Sequence, residues 1–550
     1  MKKINYIYKG LTGAFMALTL TGCIQETFPQ GGTVTEEQVQ QSASATEGMV
    51  MGMPSKSIEV WRTESHCYFG YPAQMIIRDM MTGDYYHTGE LGYSHFKAWA
   101  ENRAMGGKYM NTQFHWNFYY SYIMSVNSII SAVDPENATD EQKGYLGCAL
   151  AQRAMLYLDI ARMYEFLPNE IFTDNKNEDG NVVLGLTVPY VDEALTPEEA
   201  RQNKRLPHDE IVAKIKSDIE KAKEYIVYSP VKTDYTLPDL GCVYGLEARL
   251  LMWDAAFQAE INHDDAKSQE LYAAAAEAAG KAIANSRADI ITKDEGLSTV
   301  QGFNTLTDFM WGAQQTEESD CVQTGIINFI SWVSNQTTFG YTGASTSLFV
   351  VVDKNLYDQI GDNDWRKAWF VAPSTSTAAT PNVFIEGLSK PMAYASLKFR
   401  PAKGDAEKSN IGACSAVPYM RVEEMYFIKA EAEARTGGNA IATLTEIMKT
   451  RDASYTTSLT GDDLINEIIL QKRIELWGEG QTYFDIKRLN LSVTRGYKGT
   501  TCTDPLACFN TNGRPAWMNY VMVGSESDNN EGVIGFNNPD PSDRYNPWSE

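Results

Sequence analysis

The sequence is short of cations, histidines and cysteines: across 550 residues, 47 Lys and Arg stand against 71 Asp and Glu, with 6 His and 8 Cys. Too few cations argues against a nucleic-acid partner, because phosphate backbones are neutralised by clustered Lys and Arg with interleaved aromatics, and no such cluster occurs. The histidines are scattered, and no Cys-x-x-Cys pair offers a zinc or redox centre. His-Glu-x-x-His, Gly-x-Ser-x-Gly, Walker and dinucleotide motifs are also missing, so hydrolytic and nucleotide chemistry have no motif to rest on. No cofactor is expected. Asp and Asn are plentiful enough for a structural calcium ion on a loop, but they form no ligand set that can be named.

Long hydrophobic runs are absent too, apart from one short stretch. Lys2, Lys3 and Lys9 precede the apolar segment Leu11 to Leu20, which ends in Leu20-Thr21-Gly22-Cys23. A positive start, a short apolar core and small residues before a cysteine make a lipoprotein signal. Residues 1–22 are expected to be removed and Cys23 to be lipidated. A spanning helix needs about 20 apolar residues, and Gln25, Glu26 and Thr27 come too soon. At about 0.8 kcal/mol per buried methylene, two or more acyl chains anchor a protein essentially permanently. Loss of the three signal lysines deepens the formal charge from −24 to about −27, which suits a well-solvated exterior. Seven cysteines remain after Cys23, an odd number. Only Cys502 and Cys508 are close in sequence, where an oxidising compartment allows a small loop disulfide.

What the sequence does contain is helices in pairs. Between Trp116 and Val133, apolar residues recur at Tyr119, Tyr122, Ile123, Val126, Ile130 and Val133, one face of a helix. Thr139 and Gln142 form a capping box that starts a second helix, which ends before Pro168. Ile211, Ile215, Ile219, Ala222 and Ile226 mark a third, and Asp239 caps a fourth carrying Val243, Leu246, Leu250, Trp253 and Phe257. An alanine-rich helix follows from about Gln269 to Ala284. The last helices are predicted over 417–435, 439–450 and 462–477, with Gly437-Gly438 breaking the first from the second. Small residues such as Ala430, Ala432 and Ala434 allow close helix approach, the device by which tetratricopeptide-like hairpins stack. The predicted fold is therefore mainly α: a single domain over residues 23–550 with hairpins at about 116–166, 207–258, 269–287 and 417–488, coiled into a right-handed superhelix.

Between the helices lie long insertions, at 50–115, 167–205, 290–415 and 490–550, rich in Gly, Pro, Asn and Thr with aromatics among them. Loops this long are usually functional. A sugar ring packs its C–H face on an aromatic ring and hydrogen-bonds its hydroxyls to carboxylates and amides. On that chemistry Asp84, Tyr85, Tyr93, Phe96, Trp99, Asn102, Trp332 and Tyr341 are the candidate ligand-binding residues. Trp99 and Trp332 lead, because each lies outside the periodicity that accounts for Trp116 and Trp253.

Two segments near the C-terminus carry a family likeness. Pro418-Tyr-Met-Arg-Val-Glu-Glu-Met-Tyr-Phe-Ile-Lys-Ala-Glu-Ala-Glu-Ala-Arg-Thr-Gly437 resembles the near-terminal helix of SusD/RagB outer-membrane proteins. Gln471-Lys-Arg-Ile-Glu-Leu-Trp-Gly-Glu-Gly-Gln-Thr-Tyr-Phe-Asp-Ile-Lys-Arg488 resembles the family signature at Arg473, Glu475, Leu476, Glu479, Gly480, Asp485 and Arg488, and departs from it at Gln481, where the family often has arginine. Ala248-Arg249-Leu250 and Asp362-Asn-Asp-Trp-Arg366 agree more weakly. The resemblance implies a cell-surface lipoprotein of the outer membrane that binds glycan and delivers it to a SusC-type TonB-dependent transporter; it also admits peptide ligands. Read physically, the charges between Arg473 and Arg488 are a structural network fixing a helix end. Glu423/Glu424 or Asp362/Asp364 could in principle flank a glycosidic bond, as in a glycoside hydrolase. Adjacent glutamates on a helix point in different directions, however, and the aspartates sit in a Gly-Asp-Asn turn, so no catalytic residue is assigned.

Overall fold

The structure is a computed structural model describing residues 43–61, 66–89, 96–343, 346, 348–375 and 382–549. Cys23 and Tyr93 lie outside the described residues. The helices of the repeat are α1 (Met110–Ser131), α2 (Asp140–Tyr164), α3 (His208–Tyr225), α4 (Leu240–Glu260), α5 (Asp265–Ala284), α6 (Val422–Thr436), α7 (Ala440–Lys449), α8 (Gly461–Glu475) and α9 (Thr482–Arg488). Among the described residues, no helix is long and apolar enough to cross a membrane.

The local signals act as expected. Thr139 Oγ1 accepts from the Gln142 N–H and the Gln142 side chain accepts from the Thr139 N–H, closing the box that starts α2. Asp239 caps α4 by accepting from the Cys242 N–H at 3.0 Å. Consecutive helices pack side by side from α1 through α5, and α5 then packs against α6 across the insertion that separates them. The alanine-rich helix predicted from about Gln269 to Ala284 thus packs on α4 and, across that insertion, on α6. Close packing rests on small residues: a Cβ on Gly144 would lie 2.4 Å from Ser229 Cα, and one on Gly147 2.5 Å from Ile226 N. A separate apolar cluster, with Phe427, Leu444, Ile447 and Ile468 among its members, holds α6, α7 and α8 together at the end of the row.

One expected helix start is a strand. Residues Ala416–Met420 form β4, antiparallel to β2 (Trp311–Gln314), with Trp311 opposite Met420 and Gln314 opposite Ala416. Pro418 biases its predecessor toward extended backbone, and the β2 ladder takes the segment's hydrogen bonds, so α6 begins only at Val422. A second pair joins two insertions: β1 (Tyr85–His87) runs antiparallel to β3 (Val350–Val352), Tyr85 facing Val352. Arg249 of α4 fastens β4 and α6, donating to Tyr419 O at 2.8 Å and to both Glu424 oxygens at 2.8 and 2.5 Å.

Candidate functional site

The insertions bring most of the aromatic candidates together, but inside the molecule. Trp332 is fully buried; its ring stacks on Tyr341 at 4.2 Å and 9° and takes Phe96 edge-on at 4.8 Å. Its Nε1 donates to His66 O at 3.0 Å. His66 Nδ1 in turn hydrogen-bonds the Tyr341 hydroxyl. Tyr85, 1% exposed, lies on Trp477 at 5.0 Å. His87 hydrogen-bonds Trp332 O at 3.1 Å, and burial lowers its pKa to about 4, leaving it neutral. Trp99 belongs elsewhere, stacked on Tyr520 at 5.2 Å with His115 edge-on at 4.6 Å. Asn102 donates to Pro541 O at 2.9 Å, and Asp84 receives both prongs of Arg473.

These placements correct the expectation of stacking platforms. A sugar needs one open ring face, and Tyr85, Phe96, Trp99 and Trp332 have both faces against protein. Asp84 and Asn102 are buried on protein partners, so they are not poised for hydroxyls. Tyr341 alone among the described candidates is half-buried, at the outer end of the Trp332 stack.

The carboxylates are likewise taken. Glu475, fully buried, accepts from Arg451 Nε at 2.9 Å, Arg421 Nη2 at 2.8 Å and Arg366 Nη1 at 3.1 Å. Burial alone would raise its pKa; the three guanidinium groups outweigh that and hold it well below the usual carboxylate range. Glu479 accepts from Lys398 at 2.7 Å and Arg421 Nε at 3.0 Å. Glu423 pairs with Arg451 at 3.0 Å while Glu424 turns to Arg249. Asp364 caps Arg366 N and binds its side chain, and Asp362 accepts from Lys367 at 2.7 Å. Neither pair weighed for hydrolysis is set across a cleft. Gly480, at φ +70°, turns the chain after Glu479, and its N–H donates to Asp79 at 2.7 Å.

An open groove of about 520 Å³ lies along the outward side of α1. Its walls are Phe114, Asn117, Phe118, Tyr120, Ser121 and Met124 from α1, Lys56 from the Met53–Ser57 helix, and Glu59, Val60 and Trp61 from the segment that follows that short helix. Trp61 is half-buried and rests on Phe114 at 6.0 Å; Phe114 rests on Tyr68 at 4.3 Å, so the outermost ring is backed by two more. Tyr120 is held by its hydroxyl donating to Pro189 O at 2.6 Å. Lys56 and Glu59 pair on the rim, and a neighbouring groove of about 410 Å³ shares both. Trp61 and the His66–Tyr341 contact flank the same short segment of chain. Sequence reasoning passed over this site because it followed the inward face of α1. The signal was there: Asn117, Tyr120 and Met124 recur at helical spacing off that face, and Met124 is 53% exposed.

Fold and groove together describe a helical-repeat protein whose insertions are packed against the repeat. Residues 49–252 match the family model described as starch-binding, associating with outer membrane, and residues 354–547 match that of the SusD family. The chain belongs to the SusD/RagB family. Solved structures agree on the fold. A SusD-like carbohydrate binding protein from Bacteroides vulgatus is 22% identical, with a TM-score of 0.67 over 90% of this chain and 98% of its own. A SusD superfamily protein from Bacteroides thetaiotaomicron is 16% identical, with a TM-score of 0.63 over 92% and 100%. Surface glycan-binding protein A from the same species is 15% identical, with a TM-score of 0.60 over 89% and 98%. No curated protein matches the chain.

Proposed function

We propose that the mature protein, held in the outer membrane through Cys23, binds oligosaccharide at the cell surface in the Trp61 groove and passes it to a SusC-type TonB-dependent transporter. The observation that carries this reading is the groove itself, where a backed aromatic ring faces solvent beside Asn117, Ser121 and Tyr120. Sugar C–H groups pack on such a ring, and hydroxyls find amide, hydroxyl and charged partners within reach. The family's starch-binding, outer-membrane description and the glycan-binding relative support the ligand class. Energy for uptake would come from the transporter, since the sequence carries no nucleotide motif. The test is calorimetry of the soluble protein lacking Cys23 against neutral oligosaccharides, with peptides alongside. Glycan binding is expected; peptide binding with no glycan binding overturns the reading.

A further inference from the structure

Seven cysteines lie among the described residues, and two of them share surroundings. Cys502 Sγ and Cys508 Sγ both point at Asp504 O, at 3.7 and 3.2 Å, and Cys508 Sγ is also 3.1 Å from Cys502 O. The loop between them is tightly turned: the Ala507 N–H donates to Asp504 O at 3.0 Å and the Leu506 N–H to Asp504 Oδ1 at 2.9 Å. Both ends are fixed by the fold. Thr501 Oγ1 donates to Val352 O at 3.0 Å, and Cys508 O accepts from the Trp548 N–H at 2.7 Å. Arg495 Nη1 reaches Ala507 O at 3.0 Å from below. The two thiols are buried in one small apolar cluster with Tyr86, Val351, Ala395 and Leu397. The remaining cysteines have other surroundings: Cys148 faces Ser229, Cys242 faces Met310 O, Cys321 accepts from Gln315 and Cys414 faces Asn410 O.

We infer that Cys502 and Cys508 are a modification site, joined as a disulfide that staples this loop over β1 and β3. The fold supplies the juxtaposition, and the oxidant is a disulfide, either a small molecule or a thiol oxidoreductase. The Cys508 thiolate attacks one sulfur of that disulfide and expels the other as a thiolate. The Cys502 thiolate then attacks Cys508 Sγ and expels the second. Two protons leave the cysteines, and two electrons reduce one oxidant disulfide to two thiols. The order fits the local chemistry. The Cys502 thiol, hydrogen-bonding Cys508, holds the latter below the ordinary thiol range, while the same contact together with burial pushes Cys502 up.

The experiment uses the mature protein exported by its host, denatured in iodoacetamide without reductant, digested and weighed. The expected result is one peptide or peptide pair holding Cys502 and Cys508, unalkylated and two hydrogens lighter, with Cys67, Cys148, Cys242, Cys321 and Cys414 alkylated. Reduction should make both sulfurs alkylatable and lower the melting temperature by a few degrees, as expected for a short closed loop. Cys508→Ser should leave Cys502 alkylatable and melt like the reduced protein. The inference is overturned if both sulfurs are alkylated in exported protein and again after incubation with oxidised glutathione, or if either is found bridged to another cysteine.

Discussion

Arg473 grips Asp84 with two hydrogen bonds, from Nε at 3.0 Å and Nη2 at 2.6 Å, joining residues 389 positions apart. The pair ties the end of α8 to the first insertion just before β1. Arg473 keeps about a third of its side chain exposed, so solvent screens part of the interaction. Arg473→Ala should cost about 2 kcal/mol of stability through the uncompensated Asp84. Asp485, buried between Lys472 at 2.9 Å and Arg488 at 2.8 Å, should cost about 3 kcal/mol when replaced by alanine. Denaturant melts alongside glycan titrations check both. Unchanged stability with lost binding would make the cluster a site.

His208 provides a pH test. Its Nδ1 lies 2.6 Å from Glu165 Oε1, its Nε2 lies 3.3 Å from Asp254 Oδ1, and its ring stacks on Phe257 at 3.7 Å. Burial alone would lower its pKa, but Glu165 first and then Asp254 favour the imidazolium and raise it to about 9. A raised folded pKa means the stabilisation, on the order of 3 kcal/mol, is complete below about 6.5, the unfolded value, and is lost as pH rises through about 9. Melting curves between pH 6 and 10 should show this loss in the wild type and a flatter profile in His208→Gln.

Trp99→Ala and Trp332→Ala are expected to act on the core. Each ring is at most 2% exposed and packed by aromatics, so truncation should cost about 3–5 kcal/mol. Thermal melts should fall sharply for both. Selective loss of glycan affinity at unchanged melting temperature would restore them as ligand platforms.

How much of this could be read from the sequence depends on how far apart the partners lie. The capping box at Thr139 and the cap at Asp239 are complete within a few residues, so the starts of α2 and α4 were legible. The structural role of Asp485 was legible too, because Lys472 and Arg488 lie in its own segment, whereas the guanidiniums around Glu475 come from Arg366, Arg421 and Arg451, well outside it. Trp99 was not: its covering ring, Tyr520, comes from the far end of the chain. Tyr85 is covered by Trp477 and Trp332 by Tyr341 and Phe96, contacts that exist only once the insertions fold onto one another. The strand over 416–420 takes up the start of the helix predicted from 417, because its pairing partner, β2, lies about a hundred residues upstream.

The proposed lipid anchor rests on the signal at Leu20 to Cys23. Cys23→Ala should abolish palmitate incorporation and shift the protein from the outer-membrane pellet to the soluble fraction. A variant that still takes up label and pellets would place the anchor elsewhere.

Glycan binding in the groove topped by Trp61 is tested by calorimetry of Trp61→Ala with an oligosaccharide that the wild type binds. Stacking on one ring is worth about 1–3 kcal/mol by analogy with base stacking, so affinity should fall about five- to a hundredfold. Trp61 is half-buried at the rim, and the melting temperature should change little. Wild-type affinity in Trp61→Ala would mean that glycan does not bind in this groove.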